Sequence, residues 1–344
     1  MADIADLYKG TGISKDQLSD DGEPCILYGE LYTKYKSETI REVVSKTNID
    51  NTKLVRSKAN DVIIPCSGET AEDIATARCV LNGNILLGGD LNIIRLHGYD
   101  GAFMSYQLNG KRKYDIAKVA QGVSVVHLYG EHLKGVKTIN PCLEEQKKIA
   151  GLLALLDERI TTQNKIIDKL QSLIKGIADK LFQTARTTKP LLEFAPNITS
   201  GTDKSGSGTI PLYGSTGIIG TVKNASQKGN IVLVARVGTI GTVQYVNEPC
   251  GVSDNALIVD AGEMTKYIYH FLKTYNFARI TSGTTQPLIT ASSLKKAAIP
   301  TYDIESQTRI VLCLNGLEKK LDIAKQYLSE IAVMKQYLLR QMFI

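Results

Sequence analysis

The chain has 344 residues, 43% of them apolar, with a net charge of +6, so it is long enough for two or more folded cores. Its N-terminus MADIADLYKG carries acids where a secretory signal would carry a basic and then an apolar run, and its longest apolar stretches, such as IAGLLALL, fall well short of a bilayer's thickness. Six cysteines (Cys25, Cys66, Cys79, Cys142, Cys250 and Cys313) stand far apart with no CxxC pair, which excludes a zinc-ribbon spacing and a disulfide framework and fits a reducing, cytoplasmic setting.

The first 31 residues hold seven acids against two bases, and residues 32–140 reverse the balance with fifteen bases against eleven acids. Residues 1–140 read as short strands broken by Gly, Asn and Ser turns, with Asp61–Pro65, Asn84–Leu87 and Leu91–Leu96 as strand candidates and an early LYG at Leu27, Tyr28 and Gly29. From Pro141 the pattern changes. Apolar residues recur in alternating steps of four and three, the seam of a coiled coil: Ile149, Leu153, Leu156, Ile160, Gln163, Ile167, Leu170, Ile174, Ile177 and Leu181. Those 33 residues make a helix roughly 50 Å long, within a segment spanning 141–186.

Residues 187–298 return to short strands, with Ile231–Val234, Val243–Val246 and Ala256–Val259 as candidates, a second LYG at Leu212, Tyr213 and Gly214, and ten bases against six acids over 187–300. The final segment, 299–344, repeats the helix. At a constant offset of 161, Gln146 meets Gln307 and the second seam runs Ile310, Leu314, Leu317, Leu321, Ala324, Leu328, Ile331, Lys335, Leu338 and Met342. Each seam holds one polar residue, Gln163 or Lys335, of the kind that fixes register at a cost in stability. The chain thus reads as globule, helix, globule, helix. The fold expected is α+β: two α/β domains separated by two long antiparallel coiled-coil helices, related by a pseudo-two-fold internal repeat.

No catalytic constellation emerges. The four histidines (His97, His127, His132 and His270) form no HExxH or other ligand spacing, no Walker A run occurs, and the glycine clusters at 10–12, 206–208 and 236–241 lack the strand, helix and downstream acid of a dinucleotide site. Glu144 and Glu145 fall in the first turn of the central helix, where negative charge offsets the helix dipole. Neither a catalytic residue nor a metal site is expected in this chain. Two stretches of net charge +4 suit two docking surfaces for a polyanion.

The paired helical segments resemble those of the specificity subunits of Type I restriction-modification systems, whose repeats begin with a proline, an acidic stretch and a Glu-Gln pair and end near Leu-Phe. Pro141, Glu145, Gln146, Ile149, Asp157, Leu181 and Phe182 carry the likeness in the first copy. Pro300, Gln307, Ile310 and Phe343 carry it in the second, where Ser306 replaces the Glu and Glu318 the Asp. The stretch Ser282–Pro300 also resembles the end of a target-recognition domain. The short, acidic lead before the first LYG departs from longer relatives.

The resemblance implies a division of labour in a bacterial or archaeal cytoplasm. Two target-recognition domains, 1–140 and 187–298, would each read half of a split site on double-stranded DNA. The helices would set the spacing, about fourteen base pairs for a 50 Å spacer at roughly 3.4 Å per pair, and would dock two methyltransferase subunits, which restriction subunits join. S-adenosylmethionine, ATP and Mg would belong to those partners, and no membrane is involved. The DNA-contact candidates are polar and basic loop residues: Lys34, Tyr35, Lys36, Ser67, Lys111, Arg112 and Lys113 in the first block, and Ser215, Thr216, Arg236, Thr239, Ser282, Thr284, Thr285 and Gln286 in the second. Arginine and glutamine can read guanine and adenine edges, whereas lysines more often meet phosphate. Two other readings compete: a self-contained restriction or methyltransferase enzyme with fused recognition domains, and a coiled-coil adaptor between proteins.

Overall fold

The computed structural model describes residues 1–50, 52–122, 125–283 and 287–343. Two compact units divide the chain: one formed by Met1–Asn164 with Gln326–Ile344, the other by Lys165–Lys325. Two long helices, Leu143–Gln183 and Ile304–Gln341, each contribute to both units. Every residue of both predicted seams is buried or half-buried, while most positions between them face solvent.

In the first unit a five-stranded sheet runs in the order Ala5–Lys9, Leu91–Leu96, Asp61–Pro65, Arg78–Val80, Thr39–Ile40, antiparallel except for the last pair. The central strand Asp61–Pro65 is buried throughout, because both its faces are covered. Val62 and Ile64 pack with Met104 and Leu108 of the helix Gly101–Asn109, and Ile63 packs on the other side with Ile26 and Leu31. Asp61 is buried as well and is held by a bidentate pair with Arg95 at 2.7 and 2.9 Å.

The second unit repeats this plan. Its four-stranded antiparallel sheet has the order Thr199–Ser200, Ala256–Val259, Ile231–Ala235, Val243–Val246. Val232 and Val234 face a core that includes the helix Thr265–Thr274, and Ile231 and Leu233 face the opposite side. Asn60 and Asn230, each directly before the central strand, take the left-handed conformation that asparagine tolerates (φ 79° and 54°). Their side chains tie each strand to the approach of its helix: Asn60 accepts from the Gly101 N–H at 2.6 Å, and Asn230 donates to the Gly262 carbonyl at 3.0 Å. The strand expected at Asn84–Leu87 is shorter, Leu86–Leu87, since Asn84 also sits at positive φ (66°) and breaks the extended run.

Within each unit the long helices run antiparallel. In the first, Leu153 shares a core with Leu339 and Phe343, Asp157 pairs with Lys335, and Arg159 donates to the Tyr327 hydroxyl at 3.3 Å. In the second, Ala178 and Phe182 share a core with Ile310 and Leu314, and the Tyr302 hydroxyl reaches the Leu181 carbonyl. The repeat extends to the aromatic anchors at each junction with the globule. Phe343 meets Phe103 edge-on at 5.3 Å, and Phe182, 161 positions earlier, meets Tyr267 at 5.6 Å.

The matched glutamines are explained by the helix starts. Gln146 donates to the Pro141 carbonyl and Gln307 to the Tyr302 carbonyl, both at 2.7 Å. Tyr302, not Pro300, is therefore the positional counterpart of Pro141; Pro300 lies in the strand Ala298–Thr301. Gln146 is buried and also accepts from the Asp100 N–H at 2.9 Å. Gln146→Ala should accordingly cost about 1–3 kcal/mol by stranding buried backbone groups, and Gln307→Ala less, as the relative fall in chemical-denaturation midpoints will show.

Candidate nucleic-acid interface

In the second unit the central strand ends at Ala235, and Arg236 opens a turn that Gly238 and Gly241 complete at φ 72° and 80°, a geometry glycine adopts freely. Three loops converge on this turn. The Arg236 N–H donates to Asn255 O at 3.0 Å, and the Arg236 carbonyl accepts from the Ile289 N–H at 3.0 Å, which fastens the hairpin of Thr281–Ser282 and Leu288–Ile289. Gln244 donates to the carbonyls of Gly214 and Ser215 at 2.9 and 3.1 Å, fastening the second LYG loop. The predicted residues Ser215, Thr216, Arg236, Thr239 and Ser282 thus fall on one stitched set of loops. Thr284, Thr285 and Gln286 lie outside the described residues.

Arg236 is half-buried, and its Nε is shielded from solvent without a hydrogen-bond partner among the described residues. Ile218 and Ile219, 62% and 53% exposed, stand on the strand following the LYG loop. Gln244, Ile218 and Ile219 were not among the sequence candidates. Gln244 could have been found from the alternation of Val243–Val246; the isoleucines read as ordinary strand residues.

The equivalent place in the first unit has a different chemistry. Ser67, just past the central strand, pairs with His127, and its carbonyl accepts from the Tyr32 hydroxyl at 3.0 Å. Tyr28 of the first LYG, Tyr32, Ser67, Gly68, Glu69 and Val125 line a hollow of about 630 Å³. Lys36 stays exposed and caps the Tyr32 carbonyl at 2.8 Å. Burial raises the Tyr32 hydroxyl well above its ordinary value, and Asp73 adds to the effect.

The other first-block candidates part company. Lys34 is committed to the buried Glu30 at 2.7 Å and to Ser45 at 2.7 Å. Tyr35 belongs to the hydrophobic core, its hydroxyl accepting from the Val44 N–H, and burial pushes it up to about 12. A core position withdraws Tyr35 from the set of surface readers. Lys111 and Lys113 instead line a second cavity of about 650 Å³ with Arg78, Tyr114 and Arg340 of the C-terminal helix, and Arg112 pairs with Asp115 at 3.3 Å.

Among the described residues no group of three or more His, Cys, Asp or Glu side chains could hold a metal ion. Nor is any helix of the described residues long and apolar enough to cross a membrane.

Two repeated α+β units, each closed by paired long helices and presenting its own loop cluster, define a two-module architecture. Residues 188–333 match the model of the Type I restriction modification DNA specificity domain. The specificity subunit of the Type I restriction enzyme MjaVIII from Methanocaldococcus jannaschii is 28% identical over 180 residues, 52% of this chain and 40% of that protein. The chain therefore spans about 40% of the length of this curated relative. The fold of the S subunit of a Type I restriction-modification system from M. genitalium superposes with a TM-score of 0.70 at 19% identity, covering 100% of this chain and 94% of that one. A chain of a type I R-M system solved for its complex assembly and conformational transition gives 0.60 at 14% identity, with 98% and 95% covered. The resemblance to Type I specificity subunits holds in sequence over 188–333 and in fold over the whole chain.

Proposed function

We propose that this chain is the DNA-sequence-recognition subunit of a Type I restriction-modification assembly. The observation that carries the reading is the internal repeat: two units share strand order, helix anchors and helix starts, yet differ in the chemistry of their loop clusters. Such a molecule suits a bipartite, non-palindromic duplex site, each unit reading one half. The match of 188–333 to the DNA specificity domain and the relatives of that name support it.

In this reading the long helices set the spacing of the half-sites and dock two methyltransferase subunits, with restriction subunits joining that core. The chain itself is non-catalytic, while S-adenosylmethionine, ATP and Mg act in the partner subunits. In the second unit Arg236 is the leading base reader, with Ser215, Thr216, Thr239, Ser282, Thr284, Thr285 and Gln286 around it. In the first, Ser67 and Lys36 stand at the equivalent place, and Lys111, Arg112 and Lys113 are suited to phosphate.

The test is binding of duplex DNA by the chain assembled with its methyltransferase subunit, followed by mapping of methylated adenines. Arg236→Ala is expected to relax one base position by about 1–3 kcal/mol if the residue reads a base. A phosphate contact would instead weaken all sequences alike and flatten the salt slope by about one unit. Methylation or cleavage by the rigorously purified chain alone would overturn the non-catalytic assignment.

A further inference from the structure

Both units contain the same junction between the helix of the globule and the long helices, and they fill it differently. In the first unit Tyr106, three residues after Phe103, donates its hydroxyl to Asp157 at 2.7 Å. In the second, His270 stands three residues after Tyr267 and places its Nδ1 3.9 Å from Glu318, the residue 161 positions beyond Asp157. The first junction is closed by charge balance. Lys335 Nζ lies 2.5 Å from both Glu38 and Asp157, and the buried Arg78 lines the cavity next to Glu38, so two cations face two carboxylates.

The second junction lacks that balance. The position 161 residues before Lys335 is Ile174, and among the described residues lining this junction no second carboxylate stands where Glu38 does in the first. A cavity of about 330 Å³ opens there, in which Lys175, Lys273, Lys325 and His270 face Glu318 as the sole carboxylate among the described residues lining it. Lys273 is paired with Glu318 at 2.5 Å, whereas Lys175 and Lys325 form no ion pair with any described residue. His270 is only 3% exposed, and its Nε2 is engaged with Asn315 at 2.9 Å, so the imidazole is a fixed wall of the cavity and the donors to an occupant are the lysines. Burial holds this imidazole below its ordinary range, against the opposing pull of Asn315 and Glu318, and Lys273 and Lys266 add to the depression.

We propose that this cavity is an oxyanion site that takes a free anion of phosphate size, which supplies the negative charge that Glu38 provides in the first unit. Each lysine ammonium offers several donors to a tetrahedral oxyanion, and Lys175, Lys273 and Lys325 line one cavity. The volume accommodates one hydrated phosphate with room to spare. The inference does not depend on the DNA-recognition reading, because it rests on the comparison of the two junctions alone.

Thermal unfolding of the full chain in increasing inorganic phosphate, against sodium chloride at matched ionic strength, tests it. Phosphate should raise the melting temperature beyond the chloride control, with one site by titration calorimetry. The response should vanish in the double variant Lys175→Gln with Lys325→Gln, both exposed positions, and persist in Lys53→Gln with Lys58→Gln, exposed positions of the first unit. Gln171→Glu supplies a carboxylate at the cavity wall, and should remove the phosphate response while raising the melting temperature in phosphate-free buffer. An equal response to chloride, survival of the phosphate effect in the Lys175 and Lys325 variant, or its loss in the Lys53 and Lys58 variant would each overturn the proposal.

Discussion

Lys335→Ala is expected to lower the stability of the first unit by about 3–5 kcal/mol, because it leaves two buried carboxylates facing each other without the ammonium that both contact, with Arg78 left as the nearby cation. Glu38 and Lys335 are 6% and 7% exposed, and Asp157 is 8% exposed. Burial pushes the Glu38 carboxyl above its usual range, with Lys335 opposing the shift and Asp157 adding to it. Removing the lysine therefore exposes the full cost of desolvating those charges. The triple variant Lys335→Met, Glu38→Gln, Asp157→Asn should behave quite differently. It removes Lys335 together with both of its carboxylates and keeps the volume, and Arg78 retains its hydrogen bonds to the Tyr35 and Ala77 carbonyls, so it should melt closer to the parent than Lys335→Ala does. The Tyr106 and Ser37 hydroxyls, which donate to Asp157 at 2.7 and 2.9 Å, can still donate to the amide oxygen of an asparagine. Calorimetric melting of the two variants beside the parent is the measurement. A single variant that melts like the parent would mean that water reaches the network.

That network also marks the boundary of what the sequence discloses. Lys335 is visible as a polar residue in an apolar seam, because a seam is periodic and local. Its partner Glu38 lies 297 residues away, and no local pattern announces it. The same contrast runs through the fold. Asp61–Pro65, Leu91–Leu96, Val243–Val246 and Ala256–Val259 stand at their predicted bounds, and Ile231 begins a strand only one residue longer than predicted. Central strands buried on both faces read as continuous apolar runs. Two- and three-residue strands such as Thr39–Ile40, Ser45–Thr47 and Ser67–Gly68 are too short for a period, and are fixed by pairing with distant partners.

The loop clusters show a similar division. Residue type alone singles out Arg236, Ser215 and Ser67 as polar and loop-borne, and the fold sets each of them at a strand end or an adjoining turn. It does not separate Lys36, exposed, from Tyr35, one residue earlier and in the core. That distinction depends on how the turn after Glu30–Thr33 packs on the strand Ser45–Thr47, a long-range event. Tyr28 stands out only as part of the LYG repeat and Tyr32 not at all, for the converse reason: tyrosine is as common in cores as at surfaces, and only the tertiary pairing leaves their hollow open.

On the proposed reading of the chain as a DNA-recognition subunit, exchange of residues 187–298 for the matching block of a relative should change one half of the methylated site and leave the other half intact. The block is tied at its base by the strand pair Thr187–Pro190 and Ala298–Thr301, with Thr187 opposite Thr301 and Pro190 opposite Ala298. The chain thus enters and leaves the block at one place, and the loops that carry Ser215, Arg236 and Ser282 can be replaced without altering the path of either long helix. What the incoming block must preserve is the contact with those helices. Tyr267 and Phe271 both meet Phe182 edge-on, Tyr267 donates to the Pro300 carbonyl at 2.8 Å, and Lys273 pairs with Glu318. A donor with aromatic residues at those two positions and a base at the third should seat on the existing helices; one without them should lose stability through the cavity it leaves, by about 3–5 kcal/mol for a missing ring. The first unit, with its own sheet, its own charge network and its own loop cluster, is untouched by the exchange, so its half-site should persist at the original spacing. Mapping methylated adenines in DNA treated with the chimera and its methyltransferase subunit decides the matter. A site in which both halves changed together, or neither did, would defeat the two-reader model even if the chain bound DNA tightly.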